Sequence, residues 1–273
     1  MIIDFHTHVF PDKIAKSTID ALAKNSNGTP YTDGTVYGLI DSMKKGGIDL
    51  SITFPVLTKP TQFEKVTQFV IDINERFSNS SPKILSFAGI HPDCDDIPSK
   101  LKLLKDNGIK GVKIHPDYQL TNFNDDKYIQ IIKSAKDNEL IVITHSGIDN
   151  GYLNQPVRCT PDMVLDVYKR VKYNKLVLAH YGAHKMWSET FDKLCGLDLY
   201  FDTAFTMHQI EEDVFKKILN KHDADKILFA SDSPWGDVRK DADRILSFNL
   251  SKEVKDKIFY KNALKLLDLE KNK

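Results

Sequence analysis

Eight short apolar runs, each followed by a segment of helical periodicity, constrain this chain more than any other feature of its sequence. They are the opening run from Ile2, then Ile48–Phe54, Ile84–Ile90, Gly111–His115, Leu140–His145, Leu176–His180, Leu197–Phe201 and Ile227–Asp232. Runs that are continuously apolar, not alternating, suit strands covered on both faces. Parallel strands need a crossover to return, and the intervening segments supply it. Helices are predicted near Lys13–Lys24 and over Thr35–Lys45, Gln62–Phe77, Lys100–Lys105, Tyr128–Ala135, Pro161–Val171, Trp187–Leu194 and Val214–Asn220. Two more, Val238–Phe248 and Lys252–Leu267, close the chain. Eight such units in 273 residues fit a closed α/β (β/α)8 TIM barrel better than an open sheet. No glycine-rich nucleotide loop follows the first strand, and no composition break marks a linker, so residues 1–273 read as a single domain.

Charge narrows the function classes. Lys plus Arg and Asp plus Glu number 38 each, which gives no global attraction to nucleic acid or to an anionic membrane. No run approaches the roughly 18 apolar residues of a membrane span, and the start of the chain does not resemble an export signal. Cys94, Cys159 and Cys195 are too widely spaced for a disulfide framework or a metal clip. A cytoplasmic protein acting on a small molecule, alone or as a homodimer, is the expectation.

The polar residues are placed unevenly. His6 and His8 stand two apart in the opening strand, so both imidazoles face one side, and Asp4 shares their parity as a residue that could orient a ligand from beneath. Other strands end in His91, in Lys113 and His115, in His145, in His180 and in Asp232. In a barrel these ends meet at one rim, where active sites of such enzymes lie. His91 reads as a rim residue, whereas His184 and His222, in or near helices, read as surface residues.

The segments DFHTH, THSG at His145, LAHYG at His180 and ASDSPWG at Asp232 resemble the amidohydrolase superfamily. More closely they resemble its amidohydrolase-related, aminocarboxymuconate-semialdehyde decarboxylase-like branch, and Asn262-Ala263-Leu264 resembles that branch's C-terminal helix. The resemblance implies a metal held by His6, His8, His145 and Asp232, with His180 assigned to catalysis. In binuclear members of the superfamily a lysine placed like Lys113 becomes carboxylated and bridges two metals. The branch resembled here is mostly mononuclear, which leaves Lys113 and His115 to contact substrate or Lys113 to pair with an acid.

The chemistry of these residue types agrees. Imidazoles and a carboxylate suit zinc, with manganese, iron or cobalt as alternatives. A divalent metal lowers the pKa of bound water to about 7 in favourable sites, and Asp232 and His180 can move protons beside it. Two other readings stay open: Asp232 starting a turn with Ser233 and Pro234, and His180 completing a second metal site. Arg158, in the loop after the fifth strand, can hold a substrate carboxylate, and Trp235 can wall the pocket; Tyr152, Phe205 and His208 are weaker candidates. The leading expectation is hydrolysis of an amide, lactone or ester in a carboxylate-bearing molecule. Non-oxidative decarboxylation is the alternative, and a ligand-binding barrel without turnover a further one. A nuclease of the same superfamily is disfavoured by the zero net charge and by the lack of a strand-four Glu motif.

Overall fold

The computed structural model describes residues 1–270. Its strands are β1 (Ile3–Thr7), β2 (Leu50–Thr53), β3 (Lys83–Ser86), β4 (Ala88–Gly89), β5 (Gly111–Ile114), β6 (Ile141–Thr144), β7 (Leu176–Leu178), β8 (Tyr200–Asp202) and β9 (Ile227–Leu228), all paired in parallel. They run β1-β2-β3 and β4 through β9 in order. The expected third strand is split at Phe87, whose amide still bonds Thr53 O at 2.9 Å, so β3 and β4 occupy one position of eight. Closure is made by Phe5 N to Phe229 O at 2.9 Å, Asp232 N to His6 O at 2.9 Å and His8 N to Ser233 O at 2.6 Å. The fold is the (β/α)8 barrel, and closing it brings the segment after β9 alongside the N-terminal histidines.

Local chemistry sets the helix boundaries. The helix α1 (Asp12–Ser26) follows β1, and α2 (Val36–Gly46) starts where Thr35 accepts a bond from Gly38 N and ends at Gly47, which takes the left-handed conformation. Next come α3 (Phe63–Phe77), α4 (Ile97–Asp106), α5 (Asp126–Asp137) and α6 (Pro161–Val171); α6 is capped by Thr160 with Pro161 in its first turn. Then α7 (Trp187–Lys193), α8 (Glu212–His222) and α9 (Val238–Ser247) complete the ring. The last predicted helix is α10 (Lys252–Asp256), a π-helical turn (Lys257–Lys261) and α11 (Asn262–Leu266). None of the described helices is long and apolar enough to cross a membrane.

Two hydrophobic layers result. Ile3, Phe5, Leu50, Ile52, Phe54, Phe87, Ile141, Ile143, Val177 and Leu228 fill the barrel, plugged below by Ala263 and Leu266. Their neighbours of opposite parity, such as Val112, Ile114, Val142, Leu178 and Phe201, meet the helices. His222, expected at the surface, belongs to this second layer. Its ring stacks on Phe201 at 3.8 Å, and its nitrogens meet Leu199 O at 3.0 Å and Gly196 N at 3.3 Å.

Candidate metal centre and active site

A bulge in β1 creates the centre. Ile3 and Asp4 pair with Leu50 and Ser51, but Thr7 pairs with Thr53, so one residue is extra between them. The bulge reverses parity. Phe5 points into the barrel below, His6 and His8 turn to its mouth, and Asp4 is left on the other side. The expectation for Asp4 is thereby corrected: its carboxylate accepts bonds from Ser231 N at 2.9 Å and Ser231 Oγ at 2.6 Å and touches neither ring. Burial pushes its pKa up to about 7.

Asp202, at the end of β8, holds His6 instead. Its Oδ2 lies 2.8 Å from His6 Nδ1, and its Oδ1 accepts from His180 N and Ala204 N, both at 3.0 Å. Sequence reasoning missed this residue by ending the seventh strand at Phe201. Carried one residue further, the strand-end rule that selected the histidines selects Asp202 too.

Hydrogen-bond partners assign the ring hydrogens. His6 Nδ1 faces a carboxylate and His8 Nδ1 faces Phe54 O at 2.9 Å, so each Nδ1 carries hydrogen and each Nε2 carries a lone pair. Those two Nε2 atoms are 3.2 Å apart, and Asp232 Oδ1 lies 3.2 Å from one and 3.4 Å from the other. Three electron pairs aimed at one another, two of them on buried residues, repel unless a cation lies among them, and two imidazole nitrogens with one carboxylate oxygen suit a divalent ion. These residues fit such a metal.

Lys113 reaches the same spot from β5. Its Nζ is 3.4 Å from His6 Nε2 and 4.9 Å from the Phe54 ring centroid. Burial lowers its pKa to about 8, against the pull of Asp202 and Asp232. Of the two alternatives for Lys113, pairing with an acid is not made: among the described residues no carboxylate oxygen comes within bridging distance of Nζ.

His145 does not join His6, His8 and Asp232, which departs from the expected four-ligand set. The reason is local. Its ring stacks on His115 with centroids 4.3 Å apart and planes 9° apart, and its Nδ1 lies 2.9 Å from His180 Nε2. His180 Nδ1 donates to Ala204 O at 2.9 Å, so His180 Nε2 accepts and His145 Nδ1 is the donor. His145 Nε2 is then an unpartnered buried acceptor, 3.9 Å from Asp117 Oδ2 and 4.0 Å from Asp149 Oδ2. Burial raises the pKa of both carboxyls, Asp149 to about 6. His115, His145 and Asp149 also come close enough to share an ion. Two parallel stacked rings cannot both aim an in-plane lone pair at one point, however, so this arrangement does not make a second metal site.

The remaining candidates divide. His91 is a buried rim residue whose Nδ1 accepts from Asp93 N at 3.1 Å. Arg158 turns its guanidinium to Pro156 O at 3.2 Å, and only its backbone N–H, 3.2 Å from Asp117 Oδ1, faces the site. Trp235 borders Gly28, where an added Cβ would lie 3.6 Å from the indole. Tyr152 leans on Tyr118 at 5.3 Å, and Phe205 lies between His184 at 5.7 Å and exposed His208 at 4.6 Å. His184, expected at the surface, is buried beside His180. It lies in the turn between β7 and α7, bridged to Gly147, and not on a helix face.

A family model described as Amidohydrolase matches residues 3–269. No curated protein matches. Among solved structures, an uncharacterised TIM-barrel protein from Bordetella bronchiseptica superposes with a TM-score of 0.75 at 15% identity, covering 98% of each chain. The 5-carboxyvanillate decarboxylase of Sphingomonas paucimobilis gives 0.69 at 12% identity, again over 98% of each chain. A dihydroxybenzoic acid decarboxylase from Polaromonas sp. JS666, with bound manganese and 2-nitroresorcinol, gives 0.68 at 13% identity over 98% of this chain and 97% of that one.

Proposed function

The chain belongs to the amidohydrolase family, and from that premise we propose that it is a metal-dependent enzyme that decarboxylates a small carboxylic acid without an oxidant. The observation carrying this reading is the convergence of His6 Nε2, His8 Nε2 and Asp232 Oδ1 within 3.2–3.4 Å beside the buried Lys113 amine. The family likeness supports an enzyme, and the likeness to solved decarboxylases favours loss of carbon dioxide over hydrolysis. His6, His8 and Asp232 would hold the divalent ion, which supplies positive charge to negative charge building on the substrate.

The chain's own residues have separable tasks. Asp202 fixes the His6 ring by taking its Nδ1 hydrogen. Lys113, whose pKa burial brings to about 8, presents a buried ammonium that binds the substrate's carboxylate or a neighbouring oxygen. His180, held by Ala204 O through Nδ1, keeps Nε2 on His145 Nδ1; released from that bond, Nε2 would face the reacting region, and His180 or Asp232 would carry a proton from water to the carbon that loses carbon dioxide. His115 and Trp235 border the substrate, and Arg158 contributes at the mouth by swinging its guanidinium from Pro156. His145 completes the ion's ligands only if its ring leaves His115.

Hydrolysis is the second reading, favoured by the ionised Asp232 carboxylate, a ready acceptor for a proton from water. The test is a panel of 2,6-dihydroxybenzoate, 5-carboxyvanillate, lactones and small amides with zinc- or manganese-loaded protein in water labelled with heavy oxygen. Release of carbon dioxide with no label in the product is expected. Label incorporated into a newly formed acid would replace this reading with the hydrolytic one.

A further inference from the structure

His184 is the buried side chain that the scheme above leaves without a task. Its backbone is clamped on both sides: His184 N donates to Ser146 O at 2.8 Å, and Ile148 N donates to His184 O at 3.0 Å. That clamp demands Gly147, where φ is +87° and a Cβ would lie 2.1 Å from His184 N. The ring stands 5.7 Å from His180 and 5.7 Å from Phe205, and meets Trp187 edge-on at 6.2 Å. Both ring nitrogens are buried, and neither has a partner. Few buried polar groups are left so, because a buried donor or acceptor without a hydrogen bond is costly. Burial also pushes the ring's pKa down to about 3, so the imidazole is neutral and offers one N–H and one lone pair.

We propose that His184 is a substrate-binding residue, hydrogen-bonding a polar group of the substrate that sits between the aromatic edges of Phe205 and Trp187, next to the group on which His180 acts. A hydroxyl suits this position, since it both gives and takes a hydrogen bond. The inference rests on the decarboxylase reading for the identity of its substrate, but not for its geometry.

Two variants test it, His184→Leu, of similar volume, and His184→Gln, which restores a donor and an acceptor. In metal-loaded protein the expected result is an unchanged or higher Tm for His184→Leu and unchanged metal stoichiometry. With 2,6-dihydroxybenzoate, kcat/KM falls about 100-fold, and His184→Gln recovers part of it. A lower Tm for His184→Leu would overturn the inference, because the ring would then be a structural element with partners of its own. Unchanged kcat/KM would also overturn it. If the wild type turns over none of the probe acids, the decarboxylase reading fails, and titration with 2-nitroresorcinol, followed by its absorbance, decides this inference alone. Binding weakened tenfold or more in His184→Leu sustains it; equal binding, or none to the wild type, overturns it.

Discussion

The acids around the proposed metal centre differ in what they hold. Asp232 faces the lone pairs directly, whereas Asp202 acts through the far side of the His6 ring. Removing Asp202 frees the ring to turn or to move its hydrogen to Nε2, where it would block the ligand electron pair. Asp202→Ala is therefore expected to weaken metal affinity 10–100-fold, measured by competition with a chromophoric chelator. His222 makes a separate prediction far from the centre. Burial lowers its pKa to about 4 in the folded chain, against an ordinary value of 6.5, so the native state holds it neutral. Its stabilising contribution is present above pH 6.5 and is lost as pH falls from there through 4, an effect of about 3 kcal/mol. Unfolding followed over that range should show the loss, and His222→Gln should shallow it.

Among the elements, the C-terminal helix has a definite mechanical task. Asn262, at the start of α11, donates from Nδ2 to Ala224 O at 2.7 Å and to Ile227 O at 2.8 Å, and Phe229 N bonds Ile258 O at 2.9 Å. These contacts seat the helix under the barrel and hold the entry to β9. Asn262→Leu leaves the buried Ile227 carbonyl and the half-buried Ala224 carbonyl without those donors and should cost about 2–4 kcal/mol in denaturant unfolding. Metal stoichiometry should not change, since the centre is at the opposite end of the strands. The bulged β1 is the other element that matters. The sequence shows two histidines at strand spacing, but the extra residue decides which face they take, and a period-2 reading carried Asp4 along with them.

At the scale of the whole molecule, a metal at this centre joins the first strand to the segment after the last, closing the barrel a second time. Chelation is therefore expected to lower the Tm. With free metal at about 100 times its dissociation constant the linkage is about 2.7 kcal/mol, or several degrees for a domain of this size. An unchanged Tm after complete metal removal would separate the ion from barrel closure. Much of this architecture is legible in the residues alone: continuous apolar strands, their crossovers, and polar residues gathered at strand ends. Helix boundaries at Thr35, Gly47 and Thr160 were legible for the same reason, since caps and glycine turns act over a few residues. The sequence could not show that His145 would stack on His115 and bond His180, that Asp202 would reach His6 across 196 positions, or that His184 and His222 would be buried. Period and capping are set by neighbours along the chain. Which ring meets which, and which carboxylate takes a given hydrogen, depends on strands that become neighbours only when the barrel closes.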